Sequence, residues 1–419
     1  MENYFPQTPF AGRRIHLGVT GSIAAYKALD LLRAFHKHGM RVSATLTESA
    51  ARFVTPLSFK ALGAETVYSA MFPGGQNHRD VDPAFDNNAD VLGHLTPGAQ
   101  ADAFIILPAS ATTLARLAHG LADEILSAQA LAFPQPLVLV PAMNPRMWAN
   151  PATQANCAVL RSRGHLILDP DDGVVACNEK GRGKLTDLRL AYLAVLARLA
   201  PQDMRQRRLL LTLGPTREQW DGVRFWSNLS TGFMGACFAI AAFLRGAEVF
   251  AVCGPNCPWL PEQIKRIDVH SAEEMFVAST ALWETMDFGI FAAAVADFYP
   301  EPFGTGKFKK NQATDELSIV FRKTNDILAH IGSRKHAAQK IVGFAAETSD
   351  LEKSVLDKLK HKNADLLVGN LVGVNKTGSG FATQVNQVFI ADKQGKAEHW
   401  PTLPKADVAW RVLDWLLRL

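Results

Sequence analysis

A short apolar run that enters a glycine-containing turn and then a helical segment occurs twice in this chain, and it leaves little freedom in the fold. The first copy is Ile15 to Val19, with a tight turn at Gly18 to Gly21 and a helix expected over Ala24 to His38, closed by Gly39. Glycine suits that closing position because it takes the left-handed backbone without a Cβ clash. The second copy is Leu209 to Leu213 followed by Gly214-Pro215-Thr216. Around both, β-rich runs alternate with helical stretches, the pattern of parallel strands joined by crossover helices. Further strands are expected at Arg41 to Leu46, Ala103 to Leu107 and Pro136 to Val140. In the second half they fall at Ala247 to Cys253, Phe288 to Val295, Ile341 to Phe344, Asp365 to Val368 and Val388 to Ile390, before an amphipathic helix over Ala406 to Leu417. The expected fold is α/β, with two tandem doubly wound and mostly parallel sheets.

A chain of 419 residues is long for one core and suits two domains. The polar, proline-containing stretch Ala200 to Arg208 follows a long apolar helix, and the boundary is placed within it, giving domains 1–203 and 204–419. A net charge of +4 is too thin for a nucleic-acid partner, although it suits small anionic substrates. The cysteines, at 157, 177, 237, 253 and 257, are odd in number and irregularly spaced, which argues against a disulfide framework and for a reducing compartment. The opening MENYFPQTPFAGRR lacks the apolar stretch of a signal peptide, and no later run of apolar residues is long enough for a membrane span. The expected location is the cytoplasm.

In doubly wound sheets ligands sit beyond the carboxyl ends of the strands, so the residues just after each strand carry most information. Gly18-Val19-Thr20-Gly21-Ser22 can hold a phosphate on backbone N–H groups at a helix start, or serve only as a turn. Pro108-Ala109-Ser110-Ala111-Thr112-Thr113 places hydroxyls at a strand end, for a polyhydroxylated ligand or for a helix cap. In Pro141-Ala142-Met143-Asn144-Pro145-Arg146-Met147-Trp148, Asn144 can donate to a carboxylate or form a plain Asn-Pro turn. Cys177 stands in the glycine-punctuated basic run Gly173 to Gly183, where a thiol can act as a proton donor or lie inert. His94, shortly before a strand, reads by itself as a surface or satisfied histidine.

In the second half, Asn228, Ser230 and Thr231 cluster at an expected helix start, as a phosphate site or a capping cluster. Asp297 ends an apolar run and is followed by Lys307-Phe308-Lys309-Lys310, which suits a nucleotide triphosphate with a metal, or a solvated face. Gly304-Thr305-Gly306-Lys307 is no Walker A loop, because Phe308 and Glu301 stand where that motif needs a hydroxyl and a glycine.

Taken together, Gly18 to Lys27, His94, Ser110 with its neighbours, the 141–148 block and the Cys177 run resemble the flavoprotein cysteine decarboxylases, in particular the decarboxylase half of the bifunctional coenzyme A biosynthesis proteins. The resemblance spans roughly residues 13 to 190 and implies a Rossmann-like flavoprotein fold. It implies FMN, with Gly21, Ser22, Thr47, Ser110 and Thr112 as its binding residues, His94 as base, Asn144 on the substrate carboxylate and Cys177 as proton donor. Two residues depart from that pattern: Asn178 stands where glycine is usual, and Lys184 where arginine is usual. Asparagine tolerates left-handed backbone angles better than most residues.

Residues 208 to 400 resemble phosphopantothenate–cysteine ligase through 214–218, 223–235, 292–298, 307–310, Asn325-Asp326-Ile327, 343–348 and Lys358 to Asp365. This implies a second Rossmann-like domain that uses CTP and Mg2+, with the metal ligands open. Asn228 would hold an acyl-cytidylate, Lys307 would serve attack by the cysteine amine, and Asp297 would read cytosine. Phe344, Lys358 and Lys362 would complete the nucleotide site. Phe233 replaces a usual lysine. The resemblance also implies a homo-oligomer, with a dodecamer as the expected assembly, and 4'-phosphopantothenate, L-cysteine and CTP as substrates. Two other readings are a decarboxylase of peptide C-terminal cysteines, which would need no nucleotide site, and a flavin-fold binding protein without catalysis.

Overall fold

The computed structural model describes residues 8–71, 90, 92–309, 316–372 and 383–419. It separates into two compact units, Met1–Ala200 and Pro201–Leu419.

The first unit is built on strands β1 (Arg14–Val19), β2 (Arg41–Leu46), β3 (Val67–Tyr68), β4 (Ala103–Ala109), β5 (Val138–Pro141) and β6 (Leu166–Ile167), in the order β3-β2-β1-β4-β5-β6. Every pairing is parallel. Leu17, Val19, Ile105 and Leu139 are fully buried, as continuous apolar strands covered on both faces require. The chain leaves β1 in one direction through β2 and β3, then returns to its other side as β4, so the switch point lies between β1 and β4. The helix expected from Ala24 opens as a 3-10 turn, Ile23–Tyr26, capped by Ser22, and becomes α-helical only over Lys27–Lys37. Gly39 closes it at φ +79°. An antiparallel hairpin of β7 (Asp171–Val174) and β8 (Lys180–Lys184) follows the sheet.

The second unit contains β9 (Arg208–Leu213), β10 (Arg217–Gln219), β11 (Phe225–Ser227), β12 (Glu248–Cys253), β13 (Lys265–Asp268), β14 (Phe288–Phe291), β15 (Phe298–Pro300), β16 (Phe321–Lys323), β17 (Lys340–Glu347), β18 (Leu366–Leu371), β19 (Val385–Asp392) and β20 (Ala397–Pro404). Its main sheet runs β13-β12-β9-β14-β17-β18-β19-β20. It is parallel up to β18 and antiparallel for the last two strands. Two short antiparallel ribbons, β10 with β11 and β15 with β16, stand apart from it. The strand expected through Val295 stops at Phe291. Beyond it the pairing thins to a single parallel bridge, Pro215 with Ala294, and the carbonyls of Ala294 and Val295 accept from the Asn228 side-chain amide at 3.3 and 3.0 Å.

The closing helix, Lys405–Arg418, covers this sheet with Trp410, Leu413 and Leu416 buried. Arg245, 2% exposed, binds Asp203 at 2.6 Å and Asp414 at 2.7 Å. It therefore joins the first turn of the unit to its last helix. A buried guanidinium needs such pairing, because leaving one in place without a partner costs several kcal/mol.

Candidate active sites

At the switch point of the first unit, Ser22, Thr47 and Ser110 follow the adjacent strands β1, β2 and β4, and each caps the helical turn behind it. Their hydroxyl oxygens accept from the N–H of Ala24 (3.3 Å), Ala50 (3.2 Å) and Thr113 (3.3 Å). Capping uses a lone pair, and a hydroxyl retains a proton that it can donate. Thr20, missed in the sequence, joins two of these turns: its hydroxyl donates to the Pro108 carbonyl at 2.7 Å and accepts from the Ser110 N–H at 2.9 Å. Thr112 is exposed as the second residue of the helix behind Ser110. Gly21 is required by space, since a Cβ there would lie 2.5 Å from the Cβ of Ser49. Four of the five expected cofactor residues thus belong to turns after neighbouring strands, and Thr112 lies in the first turn of the helix that follows.

Asn144 and Cys177, 33 residues apart, are brought together: the Asn144 amide N–H lies 3.3 Å from the Cys177 sulfur. The Asn144 carbonyl oxygen accepts from the Arg146 N–H at 2.8 Å and caps the Pro145–Ala149 helix. This leaves the amide nitrogen directed at the thiol, so the Asn-Pro turn and the polar contact are the same structure. The glycine-punctuated run is a hairpin rather than a loop, with the exposed Cys177 in its turn. Asn178 takes φ +62°, the left-handed geometry that explains glycine as the alternative there. The hairpin lies close against the Asn144 segment. Gly183 accepts from the Met143 N–H at 3.0 Å, and Arg146 pairs with Glu179 at 3.1 Å. His94 is half-buried in the turn before the Thr96–Gln100 helix, and among the described residues no hydrogen bond joins it to Asn144 or Cys177.

In the second unit a cavity of about 390 Å³ opens at the carboxyl ends of β9, β14, β17 and β18. Asn228, Asp297, Phe344, Lys358 and Lys362 all line it, so five of the six residues expected at this site share one space. Lys307 does not line it. Its segment is exposed and is tied to the turn after β10, where the Phe308 N–H donates to Asp221 at 3.1 Å and Gly222 donates to the Gly306 carbonyl at 3.3 Å. The neighbouring Lys310 lies outside the described residues. Lys358 pairs with Glu347 at 2.6 Å, and Lys362 with Asp326. Burial pushes Glu347 up, but hydrogen bonds from Lys358 and Ser354 outweigh it and hold the carboxyl below its ordinary value.

Sequence reasoning missed Asn370, Asn386 and Lys405, which line the same cavity. Asn370 near the end of β18 obeys the strand-end rule and was legible in principle. Asn386 and Lys405 come from the antiparallel addition and the last helix, and no local pattern marks them. Asn386 is 4% exposed and its side-chain oxygen has no hydrogen-bond partner among the described residues, whereas burial pushes the Lys405 ammonium below its ordinary value. Among the described residues no group of three or more His, Cys, Asp or Glu side chains could hold a metal ion. No helix among them is long and apolar enough to cross a membrane.

The family model described as "Flavoprotein" matches residues 6–198, and that described as "DNA/pantothenate metabolism flavoprotein C-terminal domain" matches residues 204–419. The coenzyme A biosynthesis bifunctional protein CoaBC of Bacillus subtilis (strain 168) is 36% identical over 407 residues, 96% of each chain. The protein of the same name from Escherichia coli (strain K12) is 39% identical over 388 residues, 92% of each. The chain belongs to the bifunctional coenzyme A biosynthesis protein family. Like its relatives, this family member is a two-domain enzyme with a decarboxylase and a ligase domain. The reading as a non-catalytic binding protein is not favoured. Among solved structures, the C-terminal domain of a coenzyme A biosynthesis bifunctional protein CoaBC is 34% identical, covering 51% of this chain and 94% of that one, at a TM-score of 0.43.

Proposed function

We propose that residues 204–419 join L-cysteine to 4'-phosphopantothenate with CTP, and that residues 1–203 decarboxylate the resulting 4'-phosphopantothenoylcysteine to 4'-phosphopantetheine. The observation that carries this reading is the contact of the Asn144 amide with the Cys177 sulfur, a carboxylate donor beside a thiol proton donor.

The strand-end hydroxyls of the first unit suit FMN. Ser22, Thr47 and Ser110 combine open helix starts with neutral O–H donors, which match a phosphate and a ribityl chain, and Gly21 leaves no side chain in the way. When bound, FMN would oxidise the cysteinyl Cβ–S unit to a thioaldehyde and later return the electrons. The chain's own part is positional. The Asn144 amide donates to the substrate carboxylate and orients its C–C bond. The loss of CO2 then leaves an enethiolate, and Cys177 delivers a proton to its carbon. His94 accepts a proton as the thioaldehyde forms.

In the second unit, Lys358 and Lys362 meet the anionic nucleotide, Phe344 supplies an apolar contact and Asp297 accepts from the cytosine amine. Asn228 holds the acyl-cytidylate while the cysteine amine displaces CMP. Lys307, outside the cavity, serves that attack when substrate is bound, which requires its segment to approach. Mg2+ enters with the nucleotide triphosphate as part of the substrate. The enzyme works in the cytoplasm as a homo-oligomer, with a dodecamer as the proposed assembly, and takes small-molecule substrates without nucleic acid or membrane.

The test supplies purified protein with 4'-phosphopantothenate, cysteine, Mg2+ and CTP, and follows pyrophosphate and CO2 separately. Both products, with CO2 alone lost in Cys177→Ser, support the two-step reading. Pyrophosphate without CO2 removes the decarboxylase assignment, and neither product removes both.

A further inference from the structure

The first unit contains a buried polar chain that the site described above does not use. His16, in the middle of β1, is 0% exposed and stands edge-on to Phe104 at 4.5 Å. Its Nδ1 lies 2.7 Å from the Ser43 hydroxyl and its Nε2 lies 2.9 Å from the Thr45 hydroxyl. Thr45 in turn donates to Gln129 Oε1 at 2.6 Å, and Gln129 Nε2 donates to the Gly93 carbonyl at 2.7 Å. Gln129 is also 0% exposed.

The direction of every bond is fixed from the far end. The Gly93 carbonyl only accepts, so Gln129 must present its NH2 there and its oxygen to Thr45. The Thr45 proton is thereby spent on Gln129, so His16 Nε2 carries the hydrogen that Thr45 accepts, and Nδ1 accepts from Ser43. Burial holds His16 down to about 3, so the ring stays neutral and the chain keeps one arrangement. A fully satisfied buried network of this kind specifies one geometry.

The chain ends on the peptide carbonyl that joins Gly93 to His94. The same residue is held from its other side as well: the Gly93 N–H donates to the Asp90 carbonyl at 3.0 Å, and the space a Gly93 Cβ would take is filled by the Tyr68 ring at 3.1 Å. Tyr68 donates to the Asp90 carboxylate at 3.2 Å. We infer that Gln129 is a positioning residue for decarboxylation: through the Gly93 carbonyl it fixes the peptide plane from which the His94 imidazole is directed at substrate. This rests on the proposed role of His94 as the base. A base displaced by about 1 Å loses on the order of a hundredfold in rate.

The test supplies 4'-phosphopantothenoylcysteine directly to the full-length protein and follows CO2, with pyrophosphate release from the ligase reaction as an internal control. Gln129→Leu, which removes the donor at similar volume, should lower kcat for CO2 release by about tenfold or more. KM, flavin content and pyrophosphate release should be unchanged. A wild-type kcat in that variant overturns the inference. Should Gln129→Leu fail to fold, Gln129→Glu decides. Ionised, the introduced carboxylate puts an acceptor against the Gly93 carbonyl, and once protonated it donates as Gln129 does. His16 stays neutral, and burial beside Asp90 pushes the Tyr68 hydroxyl up and away from this range. Activity of Gln129→Glu that recovers relative to wild type as pH falls from 8 to 6 supports the inference, and wild-type CO2 release at a pH where the introduced carboxylate is shown by infrared to be ionised overturns it. His94→Asn tests the underlying reading separately: if it keeps full CO2 release, the role of His94 fails whatever Gln129 does.

Discussion

Replacing Gly183 by alanine should separate the two reactions. A Cβ at this position would lie 2.3 Å from the Met143 carbonyl oxygen, 3.1 Å from the Pro145 nitrogen and 3.3 Å from the Asn144 carbonyl carbon. All three are backbone atoms, so none can rotate aside. Ordinary carbon contacts begin at about 3.4 Å, and the hairpin must therefore retreat by about 1 Å from the Asn144 segment. That movement takes the 3.3 Å contact of Asn144 with Cys177 beyond hydrogen-bond reach. A misplacement of about 1 Å in a reacting constellation costs on the order of a hundredfold. Steady-state CO2 release from 4'-phosphopantothenoylcysteine should fall by about that factor, with pyrophosphate release from the second unit unchanged. Gly173→Ala in the facing strand is the control, because its nearest neighbour is the flexible Lys184 side chain at 3.2 Å. A Gly183→Ala enzyme within about threefold of wild type would refute the claim that the hairpin's seat on Asn144 sets the decarboxylation geometry.

At position 178, φ +62° means that Asn178→Gly should be silent, whereas Asn178→Val should cost about 1–2 kcal/mol locally, read as faster amide exchange across 171–184 and slower CO2 release. Removing the Lys362 charge in Lys362→Met should raise the apparent KM for CTP by about tenfold, equivalent to about 1.4 kcal/mol, without changing CO2 release from supplied intermediate. His16 predicts an acid effect. Its folded pKa is depressed from 6.5 to about 3, so below 6.5 the unfolded chain binds the extra proton, and the stability present above that pH is lost as pH falls towards 3. The slope is about 1.4 kcal/mol per pH unit. Urea unfolding at pH 6, 5 and 4 should be less steeply acid-sensitive by that amount in His16→Gln, and equal slopes would contradict it. Chelation by EDTA should stop pyrophosphate release and leave CO2 release from supplied intermediate intact.

Strand ends were readable where an apolar run met a glycine or hydroxyl, because the residues that stop a parallel strand also face its ligand. Ser22, Thr47 and Ser110 fall in that class, whereas Asn228 follows the antiparallel β11 and Phe344 lies inside β17. The over-long strand at 288–295 shows the opposite case. Ala292 to Val295 has every local property of a strand, yet it keeps one bridge to Pro215 while the side chain of Asn228, 66 residues before Ala294, takes its last carbonyls. The Cys177 hairpin was read as a loop because its strands, Asp171–Val174 and Lys180–Lys184, are polar and glycine-rich, with stability drawn from the Asn144 segment rather than from a pattern of their own. Gln129 sits inside a mostly apolar helix, Ile125–Ala132, and its partners Thr45 and Gly93 are ones the sequence does not place beside it.

The Arg245 bridge sets an order on how the protein is made. Residues Met1–Ala200 form one compact unit, which a growing chain completes before the second. In the second unit the guanidinium that holds Asp203 also waits for Asp414, and Lys405 of the cavity wall belongs to the same last helix. Until that helix leaves the ribosome, the unit carries a half-paired buried charge and an open cavity. A nascent chain therefore completes the unit of Met1–Ala200 first, and the Arg245 pairing of the second only once Asp414 has been made.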